Sequence, residues 1–102
     1  MGIDARIESE TGELIEELLD PNNRVETLLP DFNDETSICL RFIDPYGDTT
    51  FNQGQLPVFI RELTLAVRNT GDPEVKAYGR KLLALAEKAN GHVHTYLKFV
   101  GD

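Results

Sequence analysis

Two consecutive amphipathic stripes in the second half of the chain constrain the fold more than any other feature. Apolar residues recur at intervals of three and four over residues 56–67 and again over residues 75–89. This period is typical of helices that bury one face. Only a short break at residues 69–73 separates the stripes, so the helices are predicted to form an antiparallel hairpin. The stripe residues are Leu56, Phe59, Ile60, Leu63, Ala66 and Val67, then Val75, Tyr78, Leu82, Leu85, Ala86 and Ala89.

Capping residues place the helix ends. Asp72 with Pro73 fits an N-cap followed by proline at the first helical position, and Asp20 with Pro21 predicts a further short helix in the same way. Pro30 should stop that short helix.

The first helix of the hairpin has a less regular start. Asn52 and Gln55 have the spacing of a reciprocal cap, but Pro57 favours a helix that starts near Gly54 or Gln55. On this helix Glu62 is predicted to point away from the core.

The strands are predicted from alternation of apolar and polar residues. A turn containing Gly12 should join the first two, because glycine accepts a positive φ. The sequence Asp44, Pro45, Tyr46, Gly47 fits a type I turn and predicts a tight hairpin. The predicted strands are residues 3–8, 14–19, 36–43 (the strongest pattern), 48–51 and 93–99.

The order of these elements predicts an α+β fold in two layers. An antiparallel or mixed sheet should be covered on one face by the helical hairpin. A chain of 102 residues is the size of one domain, so residues 1–102 are interpreted as a single unit.

The charge is unevenly distributed. Residues 1–50 hold 13 Asp and Glu against 3 Lys and Arg (−10), whereas residues 51–102 hold 5 against 7 (+2). Nucleic acid and membrane surfaces are therefore poor partners, because they are polyanionic. The lone cysteine, Cys39, and the lack of a signal-like or membrane-spanning apolar run favour a reducing, cytoplasmic location.

The metal and nucleophile patterns are incomplete, so no cofactor or metal is predicted. Asp31, Asn33 and Glu35 alternate like the first ligands of an EF-hand, but neither the required glycine nor the final glutamate follows. His92 and His94 would share one face of a strand, without a recognisable third ligand. Cys39 lies in an apolar run that favours burial over catalysis.

The densest polar cluster lies on the turn from Asp44 to Gln53. Turn and cap roles account for Asp44 and Asn52 but leave Tyr46, Asp48 and Gln53 unexplained. The segment from Phe42 to Asn52, followed by Leu56 and Pro57, resembles a group of small uncharacterised bacterial proteins, and the likeness extends to Met1–Asp4 and Tyr96–Phe99. That resemblance implies no activity. In size and acidity the chain is also similar to bacterial immunity proteins, which implies neutralisation of a toxin by covering its site.

Three functions fit these patterns. The first is a non-enzymatic protein-binding module that binds a basic partner through an acidic face. An immunity-like or antitoxin-like protein is one form of this function. The second is a small-ligand-binding protein or enzyme with its site on the Asp44–Gln53 turn. The third is a self-associating structural subunit, in which an edge strand and Leu65 would form the dimer interface. The sequence leaves the oligomeric state open between monomer and homodimer. The predicted partner-binding residues are Asp31, Asp34, Glu35, Asp44, Tyr46, Asp48 and Gln53.

Overall fold

Four strands and three helices make up the fold in a computed structural model that describes residues 2–101. Met1, which contributes to the family resemblance, and Asp102 lie outside the described residues. In chain order the elements are β1 (Asp4–Ser9), β2 (Leu14–Leu18), α1 (Arg24–Leu28), a one-turn 3-10 helix (Leu40–Phe42), β3 (Asp48–Phe51), α2 (Leu56–Asn69), α3 (Pro73–Asn90) and β4 (Thr95–Val100).

The strands form one antiparallel sheet in the order β2-β1-β4-β3. The inward residues Ala5, Ile7, Leu97 and Phe99 are buried, because α2 and α3 cover this face. The predicted α+β fold with a helical hairpin on one face of the sheet is therefore confirmed, and the sheet is antiparallel rather than mixed.

Three phenylalanines join the two layers. Phe51 of β3 and Phe99 of β4 both pack on Phe59 of α2, with ring centroids 5.1 and 5.6 Å from that ring. All three rings are buried, and aromatic pairs at this separation add to the free energy of burial. This cluster fixes α2 over β3 and β4.

The predicted local caps form. Asp72 accepts from the backbone nitrogens of Glu74 and Val75 and starts α3. Asn52 and Gln55 exchange hydrogen bonds of 2.9 and 3.0 Å between side chain and backbone, and α2 begins directly after them. Gly12 has the positive φ expected in the turn between β1 and β2.

The predicted strand over residues 36–43 is wrong. The segment is a loop that contains the 3-10 helix near its end, and its buried apolar residues are Cys39, Leu40 and Ile43. A spacing of one and then three residues belongs to a helical turn rather than a strand. β3 consequently pairs with β4 alone, and the predicted hairpin across Asp44–Gly47 is also wrong, although the turn itself forms.

Two boundaries also differ from the predictions. The last strand begins at Thr95 and not at Val93, which is 77% exposed in the preceding turn. The short helix α1 begins at Arg24, because a turn closed by the Asn23 N–H on the Asp20 carbonyl precedes it. The carboxylate of Asp20 still caps α1.

Asp20 is fully buried and ties the start of the chain to α1. Its carboxylate accepts from the backbone nitrogens of Ile3, Arg24 and Val25 at 3.1, 2.7 and 3.1 Å. Hydrogen bonds of this kind offset the cost of burying a charge. Asp20 therefore joins the start of α1 to the residue that precedes β1, while α1 itself packs against α3 and α2.

Candidate partner-binding surface

The candidate site is the segment between α1 and β3, residues 29–47, which we call the acidic loop. It contains Asp31, Asp34, Glu35 and Asp44 and only one basic residue, Arg41. Five of the seven predicted binding residues are in this loop, and of these Asp44 lines a cleft beside α1 and Asp34 lines a second cleft beside α1 and α2. Asp48 follows the loop as the first residue of β3.

Glu62 of α2 anchors the acidic loop. One carboxylate oxygen accepts from Ser37 Oγ and from the backbone nitrogens of Cys39 and Leu40, and the other accepts from Ile38 N at 2.8 Å. Burial raises the pKa of Glu62, but these hydrogen bonds outweigh it and the net pKa is lowered. Glu62, predicted to point away from the core, is therefore half-buried against this loop.

Local turns orient three of the loop carboxylates. Asp31, Asp34 and Asp44 each accept the backbone N–H two residues further on, at 2.8, 3.0 and 2.9 Å. Such Asx turns are a common role for aspartate in loops. The hydrogen bonds from Thr36, with a smaller contribution from the charge of Arg41, lower the pKa of Asp34. The lowered pKa keeps Asp34 ionised at neutral pH, and the Asx turns hold all three side chains in place on the loop.

All six ion pairs found among residues 2–101 involve carboxylates outside the acidic loop. Glu8 pairs with Arg6, Glu74 with Arg24 and Asp48 with Lys98, at 3.2, 2.6 and 3.5 Å. Glu16 and Glu10 also have partners, in Lys88 and His94. Within residues 2–101, none of the four loop carboxylates forms an ion pair. The same holds for Glu13, Glu17, Glu26 and Glu87, so the acidic loop is distinguished by its exposed aromatic rings and not by unpaired charge alone.

Two aromatic rings stand among these carboxylates. Phe32 and Phe42 are 65% and 48% exposed and contact each other edge to face, with centroids 6.2 Å apart. The Arg41 guanidinium lies over the Phe42 ring at 4.6 Å and donates to the Phe32 carbonyl at 3.3 Å. The only cation of the loop is therefore engaged within the loop. Tyr46, 81% exposed, adds a third aromatic ring.

Two open clefts flank the segment Leu29–Pro30, each with a volume of about 500 Å³. The first cleft lies between this segment and Phe42, and the second between it and Leu65 of α2. The first is lined by Glu26, Leu29, Pro30, Phe32, Arg41, Phe42, Ile43, Asp44 and Pro45. The second is lined by Thr27, Leu28, Leu29, Pro30, Asp34, Thr36, Ser37, Leu40, Glu62, Leu65, Ala66, Asn69 and Thr70.

Gln53 takes a different position from the other predicted residues. Its amide nitrogen lies 2.8–2.9 Å from the carbonyl oxygens of Ala89, His92 and Thr95. An amide nitrogen has two hydrogens, so these acceptors share it, and the side chain joins the end of α3 to β4. We therefore leave Gln53 out of the surface considered below.

The sequence patterns did not predict an apolar part of this surface, and Leu65 was assigned to self-association instead. Phe42 and Leu65 are distant in sequence from Leu29 and Pro30, and the fold brings them to the two clefts that these residues line. One signal was present in the sequence, because a phenylalanine in the polar stretch Asp31–Glu35 has no local structural role. Phe42 gave no such signal, since it fitted the predicted strand.

The groups with nucleophilic or metal-binding chemistry lie apart from these clefts. Burial raises the pKa of the Cys39 thiol, so the thiol is protonated at neutral pH. His92 and His94 lie in a turn, and their Nδ1 atoms contact Lys88 O and Glu10 separately. Over residues 2–101, no group of three His, Cys, Asp or Glu side chains is placed to hold a metal ion.

Comparisons with known proteins give no match for this chain, neither among protein-family models nor among curated proteins or solved structures. None of the helices within residues 2–101 has the length and apolar character needed to cross a membrane.

Proposed function

We propose that this protein is a non-enzymatic protein-binding module that recognises a basic partner through the acidic loop. The observation that carries the proposal is that one loop combines four carboxylates that form no ion pair within residues 2–101 with three exposed aromatic side chains. Opposite charge on a partner would steer association and favour that partner over acidic ones.

The apolar side chains supply the second requirement of an interface. Scattered exposed apolar residues are ordinary, but Phe32, Phe42 and Tyr46 belong to one loop. Aromatic residues are enriched at protein interfaces because they bury a large area with few rotatable bonds. A loop that combines exposed aromatic rings with carboxylates therefore fits a basic protein better than a small metabolite.

An immunity-like role is one specific form of this proposal. A protein that covers a toxin site needs a preformed surface and strong charge complementarity, and the acidic loop offers both. This form of the proposal rests on the likeness to immunity proteins in size and acidity. It is tested by whether the captured partner is a toxin.

The alternative ligand or enzyme site on the Asp44–Gln53 turn has little geometric support. Of the candidate residues Asp44, Tyr46, Asp48 and Gln53, only Asp44 lines either of the two large clefts. Tyr46 is exposed to solvent, Asp48 pairs with Lys98, and Gln53 is engaged by backbone carbonyls. These side chains do not converge on one concave site in those clefts.

Self-association is a second candidate because β2 is an edge strand with exposed apolar residues. Leu14 and Ile15 are 46% and 52% exposed, and Leu65 on α2 is 54% exposed. Exposed edges of this kind can pair with another strand. Sedimentation equilibrium over a wide concentration range tests it: a constant monomer mass removes this candidate.

The main proposal is tested with a variant that removes charge but keeps the turns. The substitutions are Asp31→Asn, Asp34→Asn, Glu35→Gln and Asp44→Asn, because an amide oxygen can still accept the hydrogen bonds of the Asx turns. Lysate of the source organism is passed over the immobilised protein, and captured proteins are identified by mass spectrometry. We expect the wild type to capture a basic protein and the loop variant to lose it.

A matched control separates the loop from total charge. The variant Glu10→Gln, Glu13→Gln, Glu17→Gln, Glu87→Gln loses four charges elsewhere, so both variants change the net charge from −8 to −4. We expect the control to retain the partner at low salt, and capture by the wild type to fall in about 0.5 M NaCl because of screening. Equal capture by wild type and loop variant would refute the role of the acidic loop.

A further inference from the structure

The two clefts on either side of Leu29 and Pro30 are adjacent, because these two residues line both of them. Each has a volume of about 500 Å³, within the range of about 300–1,000 Å³ typical of binding sites. Together they form a two-part groove that crosses the acidic loop from Phe42 to Leu65 of α2.

Both parts of the groove offer apolar contact. The first has the Phe32 and Phe42 rings with Ile43 at its wall, and the second has Leu40 and Leu65. Exposed Phe42 and Leu65 stand at opposite ends, on either side of the Leu29–Pro30 segment. An occupant that contacts both ends therefore needs two apolar anchors.

Charge restricts the chemistry of that occupant. Glu26 and Asp44 lie at the first part, where the only cation is Arg41, already held over the Phe42 ring. Asp34 and Glu62 lie at the second part, which has no Lys, Arg or His in its described lining. The carboxylates attract basic groups to both parts of the groove. A second copy of this chain is a poorer occupant, because each copy has a net charge of −8 and the two copies repel each other.

The groove is also held open in the free protein. Four hydrogen bonds to Glu62 fix residues 37–40, and the Asx turn at Asp44 fixes the opposite wall. A preformed groove reduces the ordering cost of binding. Such a groove suits a short extended segment of a partner. The main entropic cost of binding is then the loss of conformational freedom of that segment.

We propose that the groove binds an extended basic peptide segment of the partner, with one apolar side chain in each cleft and lysine or arginine between or beside them. This inference rests on the proposed function, because it specifies which part of a basic partner the acidic loop recognises. Lysine and arginine suit the rim, since their aliphatic stems can cover Leu29 and Pro30 while their charges reach the carboxylates.

The test uses random peptides displayed on phage and selected on the wild-type protein. We expect the enriched peptides to carry at least two lysines or arginines and two apolar residues. One such peptide is then synthesised, and its affinity is measured by calorimetry for Phe42→Ala, which alters the first cleft, and Leu65→Ala, which alters the second. Each variant should weaken binding about tenfold.

Leu14→Ala is the matched control, because Leu14 is similarly exposed but lines neither cleft. It should bind the peptide like the wild type, and circular dichroism checks that all three variants are folded. If only one cleft variant weakens binding, or if Leu14→Ala weakens it equally, the two-part groove is wrong while recognition of basic sequences stands. If selection yields no peptide, the groove is likewise refuted. If the enriched peptides are not basic, and removing the loop charges leaves affinity unchanged, the proposed function fails as well.

Discussion

The Oε1 atom of Glu62 lies 3.0 Å from the backbone nitrogen of Leu40, and this hydrogen bond joins α2 to a loop twenty-two residues earlier in the chain. The same carboxylate binds Ser37, Ile38 and Cys39. A single side chain therefore satisfies three successive backbone donors that a strand would have paired with a neighbour.

Replacing Glu62 by Gln should destabilise the fold. The amide retains one acceptor oxygen, but its NH2 group now faces backbone donors such as Ile38 N, and the charge-assisted bonds are lost. We expect the free energy of unfolding to fall by about 2 kcal/mol at neutral pH, as measured by urea denaturation. The exposed variant Glu87→Gln on α3 is the control and should change stability by less than about 0.5 kcal/mol.

The effect of Glu62→Gln should depend on pH. The pKa of Glu62 is lowered in the folded state, so its ionised form favours folding, and protonation favours the unfolded chain. The contribution is complete above the unfolded pKa of about 4.3 and is lost as the pH falls towards the lower folded pKa. The stability difference between wild type and variant should therefore shrink between about pH 6 and pH 3.5. A constant difference over that range would contradict the charge-based account.

The loop held by Glu62 also shows where sequence patterns reached their limit. The caps at Asn52 and Asp72 and the two helical stripes depend on neighbours within a few residues, and all of them formed as predicted. The alternation over residues 36–43 predicted a strand. A local pattern contains no information about the carboxylate of α2 that binds this segment in the folded protein. A contact between distant segments overrode a local pattern.

The candidate surface was predictable to a similar extent. Charge distribution pointed to Asp31, Asp34, Glu35 and Asp44, which are indeed exposed or partly exposed on one loop. The clefts were not predictable, because their walls come from α1, the 3-10 helix and α2. Which charges are compensated also depends on the folded sheet, as the pairing of Asp48 with Lys98 shows.

Gly79 marks the closest approach of the two long helices. A Cβ atom built there would lie 2.4 Å from Cγ2 of Val67. Alanine normally stabilises a helix by about 1 kcal/mol relative to glycine. At this buried contact we expect Gly79→Ala instead to lower the free energy of unfolding by about 1–3 kcal/mol, because of overpacking.

A double variant identifies the cause at Gly79. Val67→Ala removes the methyl that the new Cβ would meet, so Gly79→Ala should cost less in that background, with a coupling of about 1 kcal/mol or more. Exposed Ala84→Gly on the same helix reports the intrinsic preference for alanine. Additive effects of the Val67 and Gly79 substitutions in urea denaturation would exclude the steric explanation.

Gln53 should matter for stability rather than for partner binding. Gln53→Ala removes the donor between α3 and β4 and is expected to cost about 1–2 kcal/mol. Gln53→Glu should cost more at neutral pH, because a carboxylate would face the carbonyls of Ala89 and Thr95. Thermal unfolding compares the two variants, and equal losses would argue against the donor role.

Cys39 offers a probe of how the acidic loop opens. The residue is 2% exposed, so reaction of its thiol with a disulfide reagent requires opening of the structure. Burial also raises the pKa of the thiol, which keeps it in the unreactive protonated form. Glu62→Gln releases the loop locally, whereas Gly79→Ala loosens the helix pair at a different place. If the loop opens by itself, Glu62→Gln should accelerate labelling of Cys39 about tenfold more than Gly79→Ala does at the same loss of global stability. If instead both variants accelerate labelling only in proportion to their loss of global stability, Cys39 is reached by global unfolding. Glu62 would then stabilise the whole fold without controlling a separate opening of the loop.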